Sequence, residues 1–179
     1  QKGKKMAAFV RHYLPEETVL DGPERYHGWH AEGWLETTPG NITDYQYIED
    51  DFKELAKNHK VLEAPYDPYQ SNQFASRLLE ERLPMIELGQ TVLNMSQPMK
   101  ELEAAILNKT IEFQKDPVLM WMFGNVTASL DKKDNIFPNK ERYENKIDGV
   151  VALIMAMNRY LANKGPATSV YEKRGLISA

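Results

Sequence analysis

The chain has 179 residues, 42% of them apolar and 27% charged, which suits one soluble globular domain with a real core. It has no cysteine, so disulfides and thiolate metal sites are excluded. A net charge of −4 and a pI near 5.6 argue against a surface that is basic throughout, while leaving room for a local basic groove.

"KKMAAFVRHYLP" predicts a strand ended by Leu14-Pro15. "EETVLDGPERYHGWHAEGW" follows as an irregular connection with one short helix, and "WLETTPGN" (34–41) as a second strand closing in a Pro-Gly turn. Thr43 or Asp44 then caps a helix through "YQYIEDDFKELAKNH". Tyr47, Ile48, Asp51, Phe52 and Leu55 repeat there near the helical period, and the acidic run 49–51 lies in the half favoured by the helix dipole. "KVLEAPYD" (60–67) is a short strand stopped by Pro68. "YQSNQFASRLLEER" predicts an amphipathic helix, "LPMIELGQ" a strand, and "PMKELEAAILN" a helix opened by Pro98. "DPVLMWMFGNVTASLD" holds a short helix turning into a strand, "DKKDN" (131–135) a turn, and "IFPNKERYEN" a lead into the final helix, "NKIDGVVALIMAMNRYLA". The alternation of strands and helices predicts a mixed α/β domain over residues 1–164. The tail 165–179 shows no periodicity and is expected to be flexible or to bind a partner. The longest apolar stretch, 149–157, is too short to span a bilayer, and no signal-peptide pattern opens the chain.

Two carboxylates stand out. Asp67 ends a strand, where open α/β sheets present their ligands, although Asp-Pro is also an ordinary way to begin a turn. Asp148 heads a helix whose Ile147, Val150, Val151, Ile154 and Leu161 form one apolar stripe, with Asp148, Ala152, Met155 and Arg159 beside it. It reads either as a cap or surface acid, or as a carboxylate aimed at a metal by close packing through Gly149 and Ala152. Acids meeting at a sheet edge suit hard divalent cations, and two such ions clamp the attacking and leaving oxygens of a phosphodiester. His27 and His30 lack an obvious third ligand and read as a surface loop. Trp29, Trp34 and Trp121 read as core, with base stacking as the alternative. No GxxxxGK[ST] loop is present.

"LEAPYDPYQSNQF", "PMKELEAAILN", "DPVLMWMFGNV" and "KIDGVVALIMAMNR", preceded by "YLPEET" and "W…TTPGNITDY", resemble in order the motifs of the C-terminal nuclease domain of the large terminase subunit of tailed bacteriophages. The resemblance covers roughly residues 8–162. It implies a ribonuclease H-like fold, a central mixed sheet flanked by helices, with an acidic cluster holding two divalent ions, Mg²⁺ or Mn²⁺. It implies endonucleolytic cutting of concatemeric double-stranded viral DNA in the host cytoplasm. The implied partners are DNA, an ATPase motor domain of the same polypeptide, a small terminase subunit and a portal, and no membrane. By position Asp67 and Asp148 are the implied catalytic and metal-binding acids, with Lys146 and Arg142 as candidate phosphate contacts. The family's first metal-binding aspartate lies on the strand before the one that opens this chain, and no residue from 1 to 12 is acidic. The expectation is therefore a nuclease domain lacking its first strand. A junction-resolvase-like nuclease and a non-catalytic docking or DNA-binding domain are the competing readings.

Overall fold

The computed structural model describes residues 5–69 and 71–164. The predicted first strand is broken in two: β1 (Met6–Ala8) and β2 (Tyr13–Pro15) pair with different partners. The connection after Pro15 is more regular than expected, holding α1 (Glu16–Leu20) and α2 (Glu24–Ala31), each entered through a proline that presets its φ. Next come β3 (Glu36–Thr38), with Gly40 at φ +84° in the turn behind it, and α3 (Tyr45–Asn58). Asp44 caps α3, accepting from the Gln46 amide at 2.9 Å.

α3 buries the predicted stripe only in part: Ile48, Asp51 and Phe52 are half-buried, Phe52 against the smaller core. Tyr47 and Leu55 are exposed, and the buried residue is Glu49. Arg77 of α4 (Asn72–Glu80) donates to it through Nε at 2.6 Å, so one member of the acidic run is a buried ion-pair partner. β4 (Ala64–Tyr66) lies where the strand was predicted and pairs in parallel with β5 (Met85–Glu87).

The next helix, α5 (Val92–Leu107), begins six residues before Pro98, because Thr91 caps it by accepting from the Asn94 amide. Pro98 therefore lies inside the helix, where it removes the bond to the carbonyl four residues back. That carbonyl belongs to Asn94, and it accepts instead from Asn158 Nδ2 at 2.9 Å. β6 (Ile111–Phe113), absent from the sequence reading, pairs in parallel with β1. α6 (Pro117–Asn125) runs directly into β7 (Val126–Leu130), which forms an antiparallel hairpin with β8 (Ile136–Lys140). The expected lead-in segment thus contains a strand. The last element is α7 (Asp148–Asn163).

Mixed α/β character is as expected, but the hydrogen-bonded ladders differ from a single central sheet. Among the described residues there are four two-stranded pairs, three parallel and one antiparallel. Each strand is three to five residues long, and packing against helices, not ladder length, holds these pairs. The main core joins α5, α6 and α7 through Met95, Leu102, Leu119, Val150, Ile154 and Met157. Val150, Leu153, Ile154 and Met157 fall at i, i+3, i+4 and i+7, so α7 buries a true helical face, each large side chain contributing about 2 kcal/mol. A smaller core of Ala75, Leu78 and Met85 lies under α4. No helix among the described residues is long and apolar enough to cross a membrane.

Candidate active-site cleft

Asp148 is the first residue of α7 and not its cap. Ile147 occupies the N-cap position without a side-chain bond, so the capping explanation for this carboxylate fails. The side chain is exposed, and among the described residues its carboxylate takes part in no hydrogen bond or ion pair.

The helix start is held from behind. Gly149 is buried, and a Cβ there would fall 3.0 Å from Met122 Sδ and 3.1 Å from His12 Cε1, so any larger residue would push these neighbours back. The neighbours are α6 and the segment leading into β2, where a sheet face was expected. His12 is fixed in turn: its Nε2 lies 2.8 Å from Asp116 Oδ2, and both residues are buried. Asp116 Oδ1 caps α6 by accepting from the Val118 and Leu119 amides at 2.9 and 3.0 Å.

In front of Asp148 lies a cleft of about 410 Å³, with Lys146, Arg11 and Tyr13 on its rim. Lys146 is anchored by its main chain, whose carbonyl accepts from Asn125 Nδ2 at 3.0 Å. Its ammonium sits 6.0 Å from the centroid of the Tyr143 ring. Arg11 is paired with Asp51 at 2.8 Å. The Tyr13 hydroxyl donates to the same carboxylate at 2.5 Å, and burial first, then that bond, pushes its pKa up to about 12. Arg142 is exposed in the turn after β8 and does not line the cleft.

Asp67 lies just past β4 and is half-buried. Its Oδ1 accepts from the Tyr69 amide at 3.0 Å and the Ser71 hydroxyl donates to its carbonyl, so it does build a turn. It is outside the residues lining the Asp148 cleft. Among the described residues no three or more His, Cys, Asp or Glu side chains gather closely enough to hold a metal. The donor chemistry of Asp67 and Asp148, hard carboxylate oxygen, fits Mg²⁺ or Mn²⁺, but the described residues do not complete a ligand set.

His27 and His30 lie on α2, not in a loop, and His30 Nδ1 is bonded to the Leu35 carbonyl at 2.9 Å. Trp29 and Trp121 pack with their ring centroids 5.4 Å apart on the flank of the core, as expected of core tryptophans, yet both also line the cleft. The buried pair His12–Asp116 was missed in the sequence. The one local signal was Asp116-Pro117, a cap followed by a proline at the first helical turn.

Comparison with known proteins places this cleft in context. The family model described as "Terminase large subunit, endonuclease domain" matches residues 14–164. The chain is 38% identical over 178 residues to protein YmfN of Escherichia coli K12, covering 94% of this chain and 37% of that one. It is 30% identical over 146 residues to the large terminase subunit of Enterobacteria phage HK97, covering 80% of this chain and 29% of that protein. The crystal structure of the HK97 large terminase superposes with a TM-score of 0.74 at 27% identity, over 82% of this chain and 32% of the other. The chain thus spans about a third of the length of these relatives.

Proposed function

Because this chain belongs to the endonuclease-domain family of terminase large subunits, we propose that it is the DNA-cutting domain of a phage packaging terminase. The observation that carries the reading is the Asp148 carboxylate: free of protein partners among the described residues and presented at a cleft by a helix packed through Gly149. The substrate is concatemeric double-stranded DNA, the fold is ribonuclease H-like, and the reaction is hydrolysis of a phosphodiester bond. The other partners are those of the packaging machine: an ATPase motor domain of the same polypeptide, a small subunit and a portal, working in the host cytoplasm.

Asp67 and Asp148 are the residues that would hold divalent ions, Mg²⁺ or Mn²⁺, together with at least one further acid outside the described residues. Such ions supply a nucleophile at neutral pH and stabilise the charge on the leaving oxygen. The chain's own side chains set the rest. Arg159 Nε donates to Glu63 at 2.5 Å, tying the start of β4 to the last turns of α7. From that tie, four residues of strand reach about 13 Å to Asp67 and eleven of helix about 16 Å to Asp148. Lys146, which lines the cleft with Asp148, would contact a phosphate, and Arg142, exposed in the turn after β8, would contact the strand further out. Such contacts read no sequence, so cutting has little base preference.

The test is plasmid nicking by the intact enzyme with Mn²⁺ or Mg²⁺. Asp67→Asn and Asp148→Asn each abolish cutting while the circular dichroism spectrum stays unchanged. Nicking at the unsubstituted rate by either variant overturns the assignment.

A second reading is favoured by one observation, the lack of a complete metal-ligand cluster among the described residues. It makes this domain a non-catalytic docking or DNA-binding module of the motor. Failure of the intact, folded polypeptide to cut linear or branched DNA with either metal supports it, and preference for branched over linear DNA indicates a junction-resolvase-like nuclease.

A further inference from the structure

The cleft in front of Asp148 has a second wall that phosphodiester chemistry does not use. Tyr26 and Trp29 of α2 and Trp121 of α6 build it, with centroids 5.8 Å apart for Tyr26–Trp29 and 5.4 Å for Trp29–Trp121. All three are half-buried and line the cleft, and Trp29 and Trp121 also pack against the core. The Arg25 guanidinium lies 4.8 Å from the Trp121 ring centroid and 5.6 Å from that of Tyr26.

The cations around this wall differ from others in the molecule. Arg77 and Arg159 are spent on carboxylates, whereas Arg25, over the wall's own rings, and Lys146, in the cleft lining and 6.0 Å from the centroid of the exposed Tyr143 ring, form no ion pair among the described residues. A cation on a π face keeps its net charge, so both remain available to an anion. Aromatic faces with unspent positive charge on the rim match a ligand that is flat at one end and anionic at the other. A nucleotide is such a ligand. Duplex bases have both faces covered by their neighbours, and a cleft of about 410 Å³ has the size of a small-molecule site. We propose that the cleft takes one unpaired nucleotide of a DNA strand, its base against the Trp29–Trp121 wall and its phosphate between Arg25 and Lys146. The proposal deepens the nuclease reading and rests on it for why a strand is present. The binding itself requires no cleavage.

The experiment is fluorescence anisotropy of a short labelled oligothymidine with the whole chain, in EDTA at fixed salt, against a blunt duplex hairpin of equal nucleotide count. The single strand binds more tightly than the duplex. Arg25→Ala, at an exposed position, weakens that binding by about tenfold, and Trp29→Phe, which keeps a smaller aromatic ring in place, weakens it by less, both with unchanged circular dichroism. Equal affinity for the duplex, or unchanged single-strand affinity in both variants, overturns the proposal. The two readings fail separately. Cutting that survives Asp148→Asn removes the catalytic assignment and leaves the stacking wall. Cutting that is lost in Asp148→Asn, with single-strand affinity unmoved by Arg25→Ala and Trp29→Phe, removes the wall and leaves the nuclease.

Discussion

Gly149 and His12 are packed so closely that a Cβ on the glycine would fall 3.1 Å from the His12 ring. The first turn of α7, and the carboxylate it carries, is therefore located by a tight contact that an added atom would push apart.

Gly149→Ala tests that contact. Alanine is the better helix former, yet here its methyl meets the sulfur of buried Met122, which accepts from the Gly149 amide, and the His12 ring, which Asp116 holds. Overpacking wins, and the variant is less stable by about 1–2 kcal/mol in thermal or chemical unfolding. An unchanged or raised midpoint contradicts the account.

Asp116 has two duties that different substitutions separate. Asp116→Ala removes the α6 cap and leaves buried His12 without its partner, a loss of about 2–4 kcal/mol. Asp116→Asn keeps an oxygen for the cap and costs about 1 kcal/mol. Denaturant titration of the two variants gives this order; equal losses would mean that the histidine contact matters and the cap does not.

Tyr13 supplies an alkaline signature. Its hydroxyl is protonated more tightly in the folded chain than in the unfolded one, with a pKa raised from 10.0 to about 12 by burial and by the bond to Asp51. The stability it contributes is fully present below pH 10 and is lost as the pH rises through about 12. Phenolate absorbance should show one of the nine tyrosines titrating late, and Tyr13→Phe should remove that step.

Pro98 and Asn158 are coupled through a single oxygen. With proline at 98 the Asn94 carbonyl depends on Asn158, so Asn158→Ala costs about 1 kcal/mol. In a Pro98→Ala background the restored amide takes that carbonyl, and the same substitution costs less. A double-mutant cycle measures the difference, and strict additivity excludes the coupling.

The sequence disclosed elements whose signals are local. Asp44 announced α3, the apolar period announced α7, and Pro68 marked the end of β4 with Asp67 beside it. It misled where a local signal was overridden. Pro98 looked like a helix start, but Thr91 had already capped α5 and Asn158 relieved the proline's cost. It was silent where pairing is distant. β6 is three residues with no alternation to read and exists by pairing with β1. The break between β1 and β2 follows from their having different partners. The cleft divides in the same way. Asp148 was visible as an oddity within its helix, whereas His12–Asp116 spans 104 positions and no periodicity announces it. The unspent charge of Arg25 depends on which ring lies beneath it.

The two ends of α7 are moored differently. Near its end Arg159 grips Glu63 and Asn158 grips Asn94, which itself donates to the Gly89 carbonyl just beyond β5; at its start Gly149 is wedged against Met122 and His12. Mechanically, α7 is a strut about 24 Å long with a pin at each end. One residue inserted between the pins would lengthen it by only about 1.5 Å, yet would turn one end about 100° against the other. Either Asp148 would swing away from the cleft or Arg159 would lose its glutamate. This helix can therefore exchange side chains over generations but cannot change its residue count between the pins.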